Sequence, residues 1–458
     1  MGFPHHLFKA YDIRGVVETA LTPAMVERIG RALGSEASDR GIGEFVLGRD
    51  GRLTGPQLAD ALARGILKSG CDVIDIGMAP TPVLYFAARA RTGTGVQVTA
   101  SHNPPQYNGL KMMMGGISLS GDGIQALKQR VIDGNFAAGA GTLHRREAST
   151  AYRQALIDDI RLARPLKVVI DCGNGVAGAV APAVFRALGC EVIELFCEVD
   201  GAFPNHHPDP SCPENLQDLI VSVGRHEADF GIAFDGDGDR LGVVSGGGDI
   251  IWPDRQMLLF IETILAERPG AEIIFDVKCS RLLPRAIEAR GGKATLCKTG
   301  HSFIKNKLKE TGAPFAGEMS GHLFFNDRWG GFDDGIYAGA RLCELLAADR
   351  RTPDEVFAAL PNTVNTPELR LQMEEGEPHL LVDELVAKAG PRFADAVVSH
   401  IDGLRVDFED GFGLIRASNT TPAVIMRFEA DTRPHLEAIQ SRFRELLQST
   451  GRDLDLPF

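Results

Sequence analysis

The run Val98-Thr99-Ala100-Ser101-His102-Asn103-Pro104-Pro105 continues to Tyr107-Asn108-Gly109-Leu110-Lys111 and sets a hydroxyl beside an imidazole, with a lysine close behind. Those residue types can carry nucleophilic or group-transfer chemistry. Gly95 to Thr99 reads as a short buried strand, β-branched and uncharged. Two prolines then stop it, because neither can donate to a ladder, and Pro104 biases Asn103 away from helix. Ser101 therefore falls at the carboxyl end of a strand, where open α/β sheets place their ligands. Taken alone, a turn serine that caps the next element is the simpler reading. A hydrolase nucleophile finds no support: the G-x-S-x-G elbow is missing and no buried orienting acid can be identified.

Asp235-Gly236-Asp237-Gly238-Asp239-Arg240 supplies three carboxylates on a backbone that glycine allows to curl, a set able to converge on one hard cation. An EF-hand would need glycine at the sixth loop position and glutamate at the twelfth, where Arg240 and Gly246 stand. Few ligands and an open site fit Mg²⁺ held partly by a substrate phosphate. Without a cation, three close carboxylates would repel one another.

Glu318 and Ser320, between Gly317 and Gly321, suit the hydrogen-bonding of vicinal sugar hydroxyls. His322 and the loop Gly300-His301-Ser302 add two imidazoles. The run Arg416-Ala417-Ser418-Asn419-Thr420-Thr421 offers a guanidinium, hydroxyls and an amide, which suits a dianionic phosphate; a hydrogen-bonded hairpin loop is the competing reading. Lys278 and Arg14 are further cations, each a surface charge if taken singly. Gly173-Asn174-Gly175-Val176-Ala177-Gly178, with Glu194 beyond it, has the spacing of a dinucleotide fingerprint, so an NAD-linked dehydrogenase is the runner-up. A metal loop, a phosphate clamp and a hydroxyl-reading loop together describe phosphoryl transfer on a sugar phosphate, where catalysis is mostly positioning and charge neutralisation.

The elements that would position these loops recur in order. Strands at Phe45–Asp50, Asp72–Gly77 and Gly95–Thr99 alternate with helices over Pro56–Ser69 and Val83–Ala90, after a first helix started by Thr22 and Pro23. Lys167–Asp171, Glu191–Phe196 and Phe230–Phe234 repeat the pattern, and Glu272–Val277, Lys293–Cys297 and Phe315–Gly317 repeat it again. Such alternation implies βαβ units and mainly parallel sheets. After Pro361 the texture changes to strands at Leu369–Met373, Val397–Ser399, Gly403–Glu409, Leu414–Ala417 and Ala423–Glu429, with helices near Leu380–Ala389 and His435–Gln448. The expected fold is three similar α/β domains (1–148, 149–249, 250–361) plus a smaller C-terminal α+β domain (362–458).

Length alone, at about 150 residues per domain, suggests roughly three domains for 458 residues. A net charge of −13 argues against nucleic acid or anionic membrane as partner, while leaving room for a locally positive cleft. No run reaches the ~20 apolar residues of a membrane span, no signal-peptide pattern opens the chain, and His6 stands where myristoylation needs serine or threonine. Eight scattered cysteines without a C-x-x-C pair indicate free thiols in a reducing cytoplasm.

Tyr11-Asp12-Ile13-Arg14-Gly15, Thr99 to Pro104, Asp235 to Arg240, Gly317 to His322 and Arg416 to Thr421 match, in order and separation, the motifs of the α-D-phosphohexomutase family, which the chain resembles along essentially its whole length. That resemblance implies four domains around a central active-site cleft and a reversible exchange between hexose 1-phosphate and hexose 6-phosphate, of mannose, glucose or both, through phosphoserine and a hexose 1,6-bisphosphate that also serves as activator. It implies that Ser101 is phosphorylated and that Mg²⁺ sits on Asp235, Asp237, Asp239 and the seryl phosphate. It implies further that Tyr11, Arg14, Lys278, His301, Glu318, Ser320, His322, Arg416, Ser418, Asn419 and Thr420 bind substrate. Arg240 and Lys278 would neutralise phosphate charge, and His102, Lys111, His301 and His322 are candidates for proton transfer and charge support, with no assignment of the base among them. Met319 resembles the mannose/glucose form, since the related phosphoglucosamine mutases usually carry glutamine there, which leaves that amino sugar as an alternative substrate. The partners expected are small sugar phosphates, and a monomer is the default.

Overall fold

The structure is a computed structural model that describes residues 3–374, 376–419 and 421–458. Its strands fall into four sheets, and the first three are built on one plan. In the first, Glu44–Arg49 pairs in parallel with Asp72–Met78 on one side and Gly95–Val98 on the other, and Tyr107–Met114 returns antiparallel beside Gly95–Val98. In the second, Lys167–Asp171 lies parallel to Glu191–Leu195 and Phe230–Phe234, with Leu241–Ser245 returning antiparallel. In the third, Glu272–Asp276, Lys293–Cys297, Phe315–Gly317 and Leu323–Phe325 take the same places. A short parallel βαβα run has no hairpin, so the chain of each unit first reverses abruptly at the link from the third strand to the antiparallel fourth. Ser101, Asp235 and Glu318 all sit on that link.

The antiparallel return strands are what the sequence reading did not foresee. Tyr107–Met114 carries Asn108 and Gly109, residues that read as a turn, yet both are buried and Gly109 must be small because Ile13 O and Thr99 O lie 2.5 and 2.8 Å from where a Cβ would stand. The strand pairs Lys111 with Gln97 and, on its other edge, pairs with Ile13–Val16, so that Arg14 lies opposite Gly109. His301 and Ser302, expected in a loop, begin the helix His301–Thr311. Helices at Gln217–His226, Pro253–Glu267 and Gly335–Ala348 also escaped the reading; the last is buried almost all round, so it lacks the polar stripe that marks a surface helix.

One apolar cluster is shared by the first three units, running from Val46 and Tyr85 through Ile170 and Phe234 to Phe315 and Phe357. The opposite face of each sheet packs a cluster of its own, around Leu62 in the first unit, Leu219 in the second and Ile304 in the third. The fourth unit has its own core, under an antiparallel sheet that includes Gly411–Ala417 and Ala423–Ala430 and is covered by Glu377–Ala389 and Arg433–Gln448. It meets the third unit through a small apolar cluster of Val277, Leu296, Phe412 and Leu414 and through polar contacts. Arg427 donates to Asp254 at 3.0 Å, Arg405 donates to the carbonyls of Val277 and Cys279 at 2.6 and 2.9 Å, and Ser280 donates to Glu429 at 2.8 Å. No helix among the described residues is long and apolar enough to cross a membrane.

Candidate active site

Ser101 adopts a left-handed backbone (φ 51°), which costs a residue with a Cβ on the order of 1 kcal/mol. Its N–H donates to Thr99 Oγ1 at 2.8 Å, and its hydroxyl reaches Asp235 Oδ2 at 2.5 Å and His102 Nδ1 at 3.1 Å. Burial, and after it the charges of Arg240, Arg14 and Lys111, holds His102 well below the usual histidine range, so its ring is neutral. The loop carrying Asp235 is packed on the serine: a Cβ on Gly236 would lie 2.4 Å from Ser101 O.

Asp235, Asp237 and Asp239 are fully buried and bring one carboxylate oxygen each within 4.8 Å of the others. Backbone N–H groups of Gly238, Asp239 and Arg240 donate to Asp235 Oδ1, while Thr81 donates to Asp237 Oδ2 at 2.6 Å. Lys111 lies between the other two acids, 2.7 Å from Asp237 Oδ2 and in contact with Asp239 Oδ2. Burial opposes the lysine's charge, but Asp237 and Asp239 outweigh it and hold the ammonium protonated. Asp237 Oδ1 has no hydrogen-bond partner among the described residues, Asp239 Oδ1 faces the His322 ring at 3.3 Å, and burial with its two neighbours pushes the Asp235 carboxyl well above the usual range. Three converging carboxylates, one with an unpartnered hard oxygen, fit a divalent cation of the Mg²⁺ kind.

Facing this loop is the one that holds Glu318. Leu241 N donates to Gly321 O at 3.0 Å, so the two turns are zipped together by backbone. Glu318 Oε1 accepts the Gly300 N–H at 2.5 Å, and its Oε2 lies 2.9 Å from His322 Nδ1. Burial works against charge on His322, yet Asp239 (3.3 Å) and the hydrogen bonds to Asp239 and Glu318 raise it to about 9, and Glu318 falls correspondingly to about 2. As an imidazolium, His322 donates from both nitrogens, and Ser320 Oγ, 2.9 Å from Nδ1, accepts. His301 stacks on His322 (centroids 5.4 Å apart) with Tyr11 edge-on at 5.1 Å. Burial first, then Lys305, lowers His301 to about 4, and its Nε2 has no partner among the described residues.

Cations line the rest of the cleft. Arg14 donates to Asp12 at 2.6 Å and to Asn103, on the serine loop, at 2.5 Å. Arg240 lies 3.9 Å from Asp235 and 3.8 Å from Asp209. Lys278 pairs with Glu368 of the fourth unit at 2.9 Å. Arg416 is held through Nε by Asp402 at 2.8 Å, leaving Nη2 unpartnered among the described residues, and Asp402 also accepts the Thr299 N–H at 3.0 Å. Asn419 donates to Thr299 O at 3.2 Å, and Ser418 Oγ accepts from Thr421. Thr420 lies outside the described residues.

Ser101, His102, Lys111, Arg240, His322 and the three aspartates thus form one contiguous group, with Tyr11, His301 and Glu318 adjoining it and Arg416, Ser418 and Asn419 on the fourth unit's rim. Sequence reading missed the residues behind them: Arg52, Asp50 and Thr99 under the serine loop, Thr81 on Asp237, Lys305 and Asp333 behind His301, and Asp402 behind Arg416. Gly48-Arg49-Asp50-Gly51-Arg52 ends a strand next to the serine's own, a place that could have flagged Asp50 and Arg52. The glycines of 173–178 serve close packing: a Cβ on Gly178 would lie 2.0 Å from Cys197 O, and one on Gly175 3.0 Å from Gly236.

Four models of the phosphoglucomutase/phosphomannomutase family match the chain in sequence: alpha/beta/alpha domain I over residues 5–138, domain II over 150–248, domain III over 252–364 and the C-terminal domain over 368–446. A phosphomannomutase/phosphoglucomutase of Pseudomonas aeruginosa is 51% identical over 456 residues, 99% of this chain and 98% of that one. A phosphoglucomutase of Neisseria gonorrhoeae is 53% identical over 447 residues, 97% of each chain. The crystal structure of a phosphoglucomutase/phosphomannomutase family protein from Burkholderia thailandensis superposes with a TM-score of 0.93 at 51% identity, covering 99% of both chains. With the acidic triad beside a buried serine and all four domain models in order, the chain belongs to the phosphoglucomutase/phosphomannomutase family.

Proposed function

We propose that this enzyme of hexose phosphate interconversion works through phosphoserine 101, moving a phosphoryl group between the 1- and 6-positions of mannose or glucose. The observation that carries the reading is the serine hydroxyl 2.5 Å from an acidic triad in which Asp237 Oδ1 has no hydrogen-bond partner among the described residues, across from a buried Glu318. Asp235, Asp237, Asp239 and a phosphate oxygen on Ser101 would hold Mg²⁺, which when bound neutralises charge on the transferring phosphoryl group. Glu318 and Ser320 bind vicinal sugar hydroxyls, and Arg416 with Ser418, Asn419 and Thr420 grips the phosphate that is not reacting, with Tyr11 and Arg14 lining the way. The P–O bond to Ser101 breaks as the substrate hydroxyl oxygen takes the phosphoryl group. The proton of that hydroxyl passes to neutral His301 through Nε2 and is returned when the second transfer frees the product hydroxyl. The seryl oxygen, freed as an alkoxide between the two transfers, accepts a hydrogen bond from neutral His102 Nδ1–H. Lys111 and Arg240 stay charged and balance the triad and the phosphate, and Lys278 adds a cation where the fourth unit meets the third. The hexose 1,6-bisphosphate turns round in the cleft, returns its other phosphoryl group to Ser101, and re-primes the enzyme when added from outside.

Met319 in place of glutamine favours mannose and glucose over glucosamine. The fourfold division at 1–148, 149–249, 250–361 and 362–458 is part of the same reading, supported by one sheet falling within each segment. So is a cytoplasmic location, supported by eight free cysteines, and a monomeric state is the default. The test is phosphopeptide mass spectrometry of purified protein with turnover of glucose 1-phosphate, mannose 1-phosphate and glucosamine 1-phosphate, each primed with bisphosphate. Phosphate on Ser101, lost with turnover in Ser101→Ala, is the expected result. Unmodified Ser101 in an active enzyme would end the phosphoserine reading, and a preference of about tenfold for the amino sugar, 1.4 kcal/mol in transition-state binding, would replace the substrate.

A further inference from the structure

Behind the serine loop, Arg52 is buried to 1% exposure and uses all five of its side-chain N–H donors. Nε donates to Asp50 Oδ2 at 3.2 Å. One terminal nitrogen donates to the carbonyls of Pro104 and Tyr107 at 2.8 and 3.0 Å, and the other to those of Ser101 and Asn103 at 2.7 and 2.6 Å. Asp50 in turn accepts from Thr99 Oγ1 at 2.7 Å, and the same oxygen accepts the Ser101 N–H. Both backbone polar groups of Ser101 are therefore tied to one rigid pair of side chains, and the residue so held is in the left-handed region. A guanidinium is planar and fixed in fork geometry, so four carbonyls gathered on it cannot rearrange separately.

We propose that Arg52, braced by Asp50 and Thr99, is a positioning residue that keeps the Ser101 oxygen in one place whether or not it carries phosphate. The proposal rests on the phosphoserine reading above. In that cycle the serine loses its phosphoryl group and must receive another from the same bound sugar. The Ser101 anchors come from the backbone and from Arg52, Asp50 and Thr99, none of which is the phosphate itself. A loop ordered by its own phosphate would relax once dephosphorylated, and the bisphosphate would escape more often than it returned the group. Arg52 touches neither the triad nor Glu318 through any described hydrogen bond, so its loss acts through the serine.

The test is steady-state kinetics of Arg52→Lys and Thr99→Val, with folding checked by circular dichroism and phosphoserine occupancy by mass spectrometry. Lysine keeps the charge with three donors in place of five and no fork. A displacement near 1 Å predicts that Arg52→Lys lowers kcat about 100-fold with KM changed less than about threefold, and raises the bisphosphate needed for half-maximal activity about tenfold. Thr99→Val, which removes one tether and leaves Arg52 in place, follows in the same direction by about tenfold in kcat. A role in folding alone would lower active protein without moving the bisphosphate requirement. If Arg52→Lys fails to fold, Thr99→Val decides: unchanged kcat and bisphosphate requirement there overturn the proposal, as would a folded Arg52→Lys with both at wild-type values. Wild-type protein without phosphoserine would overturn the mutase reading, and this inference with it; phosphorylated wild type beside a fully active Arg52→Lys would overturn this inference alone.

Discussion

Gly236→Ala tests the spatial claim at the centre of the site. The added methyl would lie 2.4 Å from the Ser101 carbonyl oxygen, where ordinary contact begins at 3.4 Å, so one of the two loops must give way by about 1 Å. Gly236 does not have a positive φ, so the backbone accepts alanine and the cost is steric. Ser101 Oγ and Asp235 Oδ2 are only 2.5 Å apart, so either displacement opens the gap between nucleophile and triad. Misplacement of about 1 Å at reacting atoms lowers rate roughly 100-fold, while overpacking of this kind destabilises by about 1–3 kcal/mol. The assay is kcat and KM for glucose 1-phosphate, with thermal melting and phosphoserine occupancy measured on the same preparation. A large fall in kcat with KM little changed is expected, because Glu318 and Arg416 do not move. Gly224→Ala is the control: its Cβ would meet nothing within 4 Å, and alanine in place of glycine in that helix should stabilise by about 0.5–1 kcal/mol without touching activity. Wild-type kcat in a folded Gly236→Ala would refute the close packing of the two loops.

Removing Lys111 as Lys111→Met leaves Asp237 and Asp239 without their cation, and breaking such a buried pair should cost about 3–5 kcal/mol in urea unfolding, with part of the loss recovered by excess magnesium. Chelation by EDTA should abolish turnover and added Mg²⁺ restore it, whereas Asp237→Asn should weaken the cation's effect on thermal stability; insensitivity to EDTA would count against the triad as a cation site. Arg416→Lys loses the fork that Asp402 orients, and one charge-assisted hydrogen bond of about 1.5–3 kcal/mol predicts a roughly 10- to 100-fold rise in KM for the sugar phosphate. His301 is depressed to about 4 from 6.5, chiefly by burial and then by Lys305. The unfolded chain therefore binds more protons than the folded one between those values, so stability falls as pH drops through that window and the loss is complete below pH 4. On that basis His301 contributes on the order of 3 kcal/mol of pH-dependent stability, and His301→Gln should flatten the slope seen in unfolding at pH 7 and pH 5.

Local groupings could be read directly from the chain. Asp235, Asp237 and Asp239 alternate with glycines, so their convergence needs only one curled loop, and the two prolines after Ser101 force a stop wherever the strand lies. The three repeats of strand and helix were equally visible, because period and turn residues are local properties. Tertiary structure decided which loops meet. Ser101 and Asp235 are 134 residues apart in sequence, and Lys111 and Asp239 128, and nothing short-range in either loop names its partner. The antiparallel fourth strand of each unit brings them together, and in the first unit its pairing hid behind Asn108 and Gly109. The protonation states followed the same division. As isolated side chains, His301 and His322 have the same titration range, yet burial beside Lys305 lowers the first and contact with Asp239 and Glu318 raises the second. Sequence supplied the reactive groups and the repeated scaffold; only the packed fold, by removing water and setting specific charges within about 3 Å, determined what each group does.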